Sequence, residues 1–195
     1  MTAWISMISD AEASDSLRDA LDVARTPHGT VDNVMRVHSH RPNTMHGHVI
    51  LYRAVLHDEM NTLSTWLQEV IGSYVSLLND CTYSYSNHWK NAAHLIGNED
   101  RASEVEESLI KRCPEDAFDG AELALLRYAE KLTISPGTMD ENDVSDLQAA
   151  GFDDGQVLEA NQIISYFNYV NRSLNGLGVS TEGDVLGYYP DRGEC

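Results

Sequence analysis

The chain has 195 residues, of which 42% are hydrophobic and 23% are charged, a balance that is typical of one soluble globular domain and that excludes extended disorder. Thirteen basic residues against 31 acidic residues give a net charge of −18, so the surface repels nucleic acids and anionic membranes. We therefore expect neither as a partner.

The cysteines are few and far apart. Cys81, Cys113 and Cys195 are odd in number and widely spaced, which argues against the disulfide framework of a small secreted protein. Residues 1–10 lack the basic start and long apolar run of a signal peptide, and no stretch approaches the ~20 apolar residues of a membrane span. The sequence predicts a soluble protein of the reducing cytoplasm.

Helical periodicity runs through the whole chain, and no alternating strand pattern of convincing length is present. The fold class is therefore predicted to be all-α. The predicted helices cover residues 14–25, 32–40, 42–56, 63–78, 81–97, 102–112, 119–132, 140–150 and 153–174. Residues 180–195, which contain several glycines and Tyr188-Tyr189-Pro190, are predicted to form an irregular arm.

The last predicted helix is apolar on all sides. Ile163, Ile164, Tyr166, Phe167 and Val170 are too many large apolar residues for a solvated surface helix, so it must be buried on more than one side. This pattern is typical of a core or a subunit interface. Together with the apolar opening of the chain, it predicts a homo-oligomer, most simply a dimer or a trimer, with a hexamer as a further option.

Histidine occurs four times within eleven residues, as two His-x-His pairs: His38 with His40 and His46 with His48. Neutral imidazole is a common ligand of zinc, copper and iron. Residues two apart on a helix point in different directions, however, so neither pair is arranged to chelate. We interpret the four as surface or interface histidines, predict no bound metal and no cofactor, and give His57 and His94 the same interpretation.

The chemistry-bearing residues cluster in a predicted helical hairpin. Asn79-Asp80 interrupts two apolar helical runs, with Glu69 ten residues before the turn and His88 eight residues after it. On one straight helix they would lie roughly 28 Å apart at ~1.5 Å per residue. Antiparallel packing brings them level, and Ser84 lies one turn from His88 at spacing i, i+4. The hairpin therefore predicts that Glu69, Ser84 and His88 converge.

Cys81 falls at the start of the second helix of this hairpin. Unpaired backbone N–H groups at a helix start favour a thiolate and lower a cysteine pKa from its usual ~8.5. A reactive thiol at this position is therefore expected.

These residues resemble the signature Glu, Cys, x, x, Cys, x, x, x, His of the alkylhydroperoxidase AhpD-like proteins of the carboxymuconolactone decarboxylase superfamily. The chain matches at Glu69, Cys81 and His88 and departs at Ser84, where the family has its second cysteine. The resemblance, to the branch called peroxidase-related enzymes, covers residues 39–179 and implies a single AhpD-like domain. It extends to the flanking segments SHRPNTMHGHVILYRAVL, RYAEKLTISPG and LQAAGFDDGQVLEANQIISYFNYVNRSLNGLGV.

In the family, two cysteines reduce a peroxide while a Glu/His pair relays the proton, and the resemblance gives that relay role to Glu69 and His88. A hydroxyl at Ser84 excludes the two-cysteine cycle within this motif. The first hypothesis is thiol-dependent reduction of a peroxide or related small substrate by Cys81, with Cys113, Cys195 or an external thiol reductant resolving it.

Three alternatives stay open. The pocket can instead do acid–base chemistry with Glu69 and His88 on a small organic acid or lactone, as in the decarboxylase branch. Ser84, His88 and Glu69 also have the residue types of a hydrolase triad, although serine and histidine at i, i+4 on one helix rarely orient that way. Finally, the same residues can line the pocket of a non-catalytic oligomer that binds a small ligand. Cys81 facing away from a polar pocket favours the acid–base alternative.

Overall fold

A computed structural model describes residues 1–189, and within that range the chain is helical without strands. The all-α prediction is therefore confirmed. None of these helices has the length and apolar character that crossing a membrane requires. The helices are α1 (Asp15–Val23), α2 (Asn33–Arg36), α3 (Pro42–Leu56), α4 (Thr65–Leu78), α5 (Thr82–Ile96), α6 (Glu99–Ile110), α7 (Gly120–Ile134), α8 (Glu141–Ala149) and α9 (Asp154–Leu177).

Helix α4 is the centre of the fold. Of its 14 residues, 11 are buried, and it packs against α5, α7 and α9. The turn after it is the predicted one: Asn79 caps the helix, and Asp80 has a left-handed φ of 52°, a conformation that the short polar side chain of aspartate tolerates. The chain reverses here, and α5 returns antiparallel along α4.

Helix α9 crosses the core beside α4, and Phe167 on α9 packs directly over Gly72 on α4. A Cβ atom at Gly72 would lie 2.2 Å from the Phe167 ring, so only glycine allows this approach. The predicted end of α9 at Gly176 is wrong. Gly176 stays helical, and Gly178, with φ of 59°, is the left-handed cap that ends the helix.

Helices α1, α2 and α3 form a second, smaller layer with its own apolar cluster around Leu17, Met45 and Val49. Pro42 stands in the first turn of α3, as its fixed φ and missing N–H predict. The predicted helix over residues 32–40 is shorter than expected. Only Asn33–Arg36 is α-helical, and residues 37–40 continue as turns.

The two ends of the described chain lie side by side. Trp4 N donates to Leu177 O at 2.8 Å, and Ser180 N donates to Thr2 O at 2.9 Å. Residues 180–189 are irregular but bonded to the helices. The carboxylate of Asp184 accepts from the Asn33 backbone and from the Tyr83 hydroxyl, which guides this arm across α5.

Candidate functional site

Glu69 and His88 meet across the α4–α5 hairpin. His88 Nδ1 lies 2.7 Å from Glu69 Oε2, and Asn91 Nδ2 donates to Glu69 Oε1 at 3.2 Å. Glu69 is 1% exposed, and a carboxylate that is so deeply buried needs both of these partners. Because a carboxylate only accepts, His88 carries a proton on Nδ1, which leaves Nε2 as the nitrogen available for proton transfer.

Phe167 holds the other side of the imidazole. Its ring meets the His88 ring edge-on, with centroids 4.6 Å apart. The imidazole is therefore fixed by a hydrogen bond on one side and by aromatic packing on the other.

A cavity of about 120 Å³ opens beside His88. Cavities of ~150 Å³ accommodate one benzene ring, so this one suits a ligand of about single-ring size. Arg25 and Arg53, both exposed, belong to the lining: Arg25 is paired with Asp22 at 3.0 Å, and Arg53 donates to the Val23 carbonyl at 2.6 Å. The lining residues that contribute polar or aromatic groups are Arg25, Thr26, Asp32, Tyr52, Arg53, His57, Tyr83, Ser84, Asn87, His88, Asn91, Tyr166 and Tyr188.

Asp32 adds a carboxyl group to this lining. Burial raises the pKa of Asp32 to about 6, and the nearby carboxylate of Asp184 adds to the effect. Asp32 Oδ1 is buried without a hydrogen-bond partner. The cavity wall therefore combines two guanidinium groups with a carboxyl group that is easily protonated.

Ser84 lines the cavity, but its hydroxyl is directed to α4. Ser84 Oγ lies 2.8 Å from Ser76 Oγ, and Ser76 in turn donates to the Gly72 carbonyl. Within residues 1–189, no hydrogen bond joins Ser84 to His88. The arrangement lacks the nucleophile–base contact that a hydrolase triad requires.

Cys81 does not lie where a reactive thiol needs to be. It caps the start of α5 as predicted, and backbone N–H groups of Ser84 and Tyr83 lower its pKa. Burial outweighs them: Cys81 is 1% exposed in the main apolar core, and its pKa is raised overall. The expected low-pKa thiolate is therefore wrong, and Cys81 is absent from the cavity lining.

Thiol labelling measures this burial directly. Cys81 and Cys113 are both free thiols, and Cys113 is half-buried. Because alkylation needs an accessible thiolate, we expect iodoacetamide at neutral pH to modify Cys81 roughly tenfold or more slowly than Cys113 in the folded protein. Peptide mass spectrometry over time gives both rates, with urea-unfolded protein as the control in which they converge. Faster labelling of Cys81 would contradict the buried position. Cys195 lies outside the described residues.

His57 is a cavity residue that sequence analysis did not assign to the site. It lines the cavity between Tyr52 and Tyr188, with Tyr188 stacked on it at a centroid distance of 4.3 Å. Its Nε2 is buried without a hydrogen-bond partner, and burial lowers its pKa, so the ring is neutral near pH 7. The sequence predicted a surface or interface position for His57, whereas the structure places it in the cavity lining. A single histidine after a helix gives no sequence signal for such a position.

His48 corrects the interpretation of the four clustered histidines. It is 3% exposed, and its ring lies among His38, Tyr166 and Tyr169. Its side chain belongs to the interior, whereas His40 is exposed. In the part of the chain that the structure describes, no group of three or more His, Cys, Asp or Glu side chains is placed to hold a metal ion.

The burial of His48 predicts a pH dependence of stability. Burial and the neighbouring His38 lower its pKa from 6.5 to about 4, so on lowering the pH the unfolded chain takes up this proton first. The contribution is present above the unfolded pKa and is lost as the pH falls towards the folded pKa. A shift of this size corresponds to about 3 kcal/mol in the free energy of unfolding.

Urea denaturation at a series of pH values measures this loss. We expect His48→Gln to lack this part of the pH dependence between pH 6.5 and 4, while the control His46→Gln retains it. The rings that face His48 belong to His38, Tyr166 and Tyr169, and they are unchanged in both variants. Identical pH profiles for the two variants would contradict the assignment.

Two side-chain amides on α5 connect the site to the arm. Asn91 Oδ1 accepts from Tyr188 N at 2.6 Å, and Asn87 Oδ1 accepts from Gly187 N at 3.1 Å. Sequence reasoning missed both asparagines. A sequence signal for them was present, because positions 84, 87, 88 and 91 lie on one face of a helix, the face that also carries Ser84 and His88. The position of Tyr188 had no such signal, because the arm lacks periodicity.

Three solved structures share this architecture. Each covers more than nine-tenths of both chains at 20% identity or less. They are the AhpD-core, uncharacterised peroxidase-related protein from Ralstonia eutropha JMP134 (20% identity, 94% of each chain, TM-score 0.80), an uncharacterised peroxidase-related protein from Silicibacter sp. TM1040 (20% identity, 94% of this chain and 93% of that one, TM-score 0.80), and the debrominase Bmp8 in complex with 2,3,4-tribromopyrrole (17% identity, 92% and 91%, TM-score 0.73).

The chain therefore has the AhpD-like fold, and the resemblance seen in the sequence is confirmed for the fold. No family model matches the sequence, and no curated protein matches it. At these identities the likeness establishes the architecture, and the chemistry depends on the residues of this chain.

Proposed function

We propose that this protein is an acid–base enzyme that moves a proton on a small organic acid or lactone, with His88 as the proton-transferring residue. The observation that carries the proposal is the 2.7 Å contact of His88 with buried Glu69 at the edge of a cavity that Cys81 does not line. Glu69 fixes the Nδ1–H tautomer, so Nε2 is free to take a proton from the substrate and return it.

The cavity limits the substrate. About 120 Å³ suits a molecule of single-ring size, and the exposed guanidinium of Arg53 in the cavity lining can pair with a carboxylate. A protein of similar fold, the debrominase Bmp8, was crystallised with 2,3,4-tribromopyrrole, also a single-ring compound, which supports a ligand of this size. The proposed class is therefore a ring-sized carboxylic acid or lactone with an acidic C–H bond.

Proton exchange tests the proposal without knowledge of the product. The protein is incubated in D₂O with a panel of ring-sized hydroxy acids, keto acids and unsaturated lactones, and the loss of C–H signals is followed by NMR. We expect at least one compound to exchange or convert about 100-fold faster with wild type than with His88→Gln. Equal rates for every compound would contradict the proposal.

Thiol-dependent peroxide reduction is the second candidate, because Cys81 stands at the start of α5, where the backbone N–H groups of Ser84 and Tyr83 oppose the rise in its pKa that burial causes. It requires the buried sulfur to reach a peroxide. The variant Ser84→Cys tests it, since Ser84 lines the cavity and a thiol there would stand three residues from Cys81. Peroxide consumption with a dithiol reductant that rises in this variant and is lost in Cys81→Ala would favour the second candidate.

A further inference from the structure

Four side chains form a continuous hydrogen-bonded path from the cavity to the surface. Tyr166, which lines the cavity, places its hydroxyl 2.9 Å from His48 Nε2. His48 Nδ1 lies 3.1 Å from His38 Nε2, and His38 Nδ1 lies 2.9 Å from Thr44 Oγ1. Thr44 is exposed and donates to the Arg41 carbonyl at 2.8 Å. The path uses two of the four clustered histidines, which the proposed function leaves unused.

The Arg41 carbonyl fixes the direction of every proton in this path. A carbonyl only accepts, so the Thr44 hydroxyl donates to it and accepts from His38 Nδ1–H. A neutral imidazole has one donor and one acceptor, so His38 Nε2 accepts from His48 Nδ1–H. His48 Nε2 in turn accepts from the Tyr166 hydroxyl. All four protons therefore point away from the cavity.

Both imidazoles are neutral near pH 7, as this pattern requires. Burial lowers the pKa of His48 to about 4 and also lowers that of His38. Burial raises the pKa of Tyr166, so it stays a phenol. With its proton donated to His48, its oxygen keeps lone pairs that can accept, and Tyr166 belongs to the cavity lining. Tyr166 is therefore an acceptor towards a ligand.

We propose that Tyr166 accepts a proton from an O–H or N–H group of the substrate and that His48, His38 and Thr44 conduct a proton onward to solvent. The inference rests on the proposed function and adds to it. His88 acts at one atom of the substrate, and Tyr166 acts at a second atom that carries an ionisable hydrogen. Tyr166 is the catalytic residue of the path, and His48 and His38 are positioning and relay residues.

The protons balance at each transfer. As the substrate proton reaches the Tyr166 oxygen, the phenolic proton passes to His48 Nε2 and the His48 Nδ1 proton passes to His38 Nε2. The His38 Nδ1 proton passes to Thr44, which releases its own proton to water. Both imidazoles then carry their protons on Nε2, and a proton that enters in the opposite direction restores them. The path therefore suits a reaction that removes one proton and later returns one, such as an isomerisation.

This direction also narrows the substrate class. A ligand without a hydrogen-bond donor leaves the lone pairs of the Tyr166 oxygen without a partner, which weakens its binding. Enols, hydroxy acids and N–H heterocycles satisfy it. We therefore expect an acid or lactone that bears such a donor to bind better than its O-methyl or N-methyl analogue.

The tautomers are measurable in the protein itself. Two-bond ¹H–¹⁵N correlation spectra of ¹⁵N-histidine protein, assigned with His38→Gln and His48→Gln, should show both neutral rings protonated on Nδ1. Thr44→Val removes the acceptor at the surface and should shift the His38 tautomer, whereas His46→Gln should change neither ring. A His48 ring protonated on Nε2 would overturn the proposal, because Tyr166 would then direct its own proton into the cavity.

Proton transport along the path is tested by turnover measurements on a compound that the D₂O assay identifies as a substrate. His38→Ala and the milder Thr44→Val should slow turnover about tenfold in dilute buffer, and added imidazole should restore it. The turnover of wild type and of His46→Gln should not change in dilute buffer or on addition of imidazole. Normal turnover in both path variants would overturn the proton path while leaving the role of His88 intact. A complete lack of turnover with every compound, despite the expected tautomers, would remove the proposed function and the path together.

Discussion

We expect Glu69→Gln and His88→Gln each to reduce turnover about 100-fold or more, whereas Cys81→Ala should change turnover less than about threefold. Glutamine at position 69 keeps the size of the side chain but replaces one acceptor oxygen with an NH₂ group. The NH₂ group is a donor, and it must lie opposite another donor, either His88 Nδ1–H or Asn91 Nδ2–H. If it donates to His88 Nδ1, the proton of the neutral ring moves to Nε2, and the base is lost.

The ranking of the three variants decides between the two candidate functions. Steady-state rates on the compound found by deuterium exchange, and peroxide consumption with a dithiol, are measured on the same preparations. His46→Gln controls for the loss of an imidazole elsewhere in the chain. Activity that depends on Cys81 and survives in His88→Gln would reverse the ranking and favour thiol chemistry.

Gly72→Ala is expected to lower the free energy of unfolding by about 3 kcal/mol, at the upper end for an overpacked core. The added methyl group would lie 2.2 to 2.8 Å from three atoms of the Phe167 ring, and neither α4 nor the fully buried Phe167 has free space in which to move. Because the same ring packs against His88, turnover should fall as well. Urea denaturation gives the change in stability.

Gly47→Ala is the matched control, since Gly47 lies inside α3 with nothing within 4 Å of an added Cβ atom. Alanine there should stabilise the protein by ~0.5–1 kcal/mol through its higher helix propensity. In the double variant Gly72→Ala with Phe167→Leu, the smaller side chain leaves room for the methyl group, so the combined loss should be less than the sum of the two single losses. Equal stability of Gly72→Ala and Gly47→Ala would contradict the contact.

The sequence was sufficient for the hairpin because its determinants are local. Counting residues from the turn at Asn79-Asp80 places Glu69 and His88 at the same height of the two antiparallel helices. In the structure, His88 Nδ1 lies 2.7 Å from Glu69 Oε2. The direction of the Cys81 side chain was not predictable in this way. Helix position alone predicted a thiolate, whereas burial, which depends on how all the helices pack, raises its pKa.

Other parts of the site depend on contacts between distant segments. His48 meets Tyr166 across 118 positions of the chain, and His57 meets Tyr188 across a similar separation. No periodic pattern encodes such pairs. Self-association and a cytoplasmic location stay predictions.

The arm contributes to the wall of the cavity without joining the helical framework. Gly187 and Tyr188 donate their backbone N–H groups to side-chain amides of Asn87 and Asn91. Every backbone hydrogen bond within α5 therefore stays intact when these two contacts open. Hydrogen exchange at these two amides should consequently report openings far smaller than global unfolding, and the exchange of ligand with solvent need not disturb the core that holds Glu69 and His88.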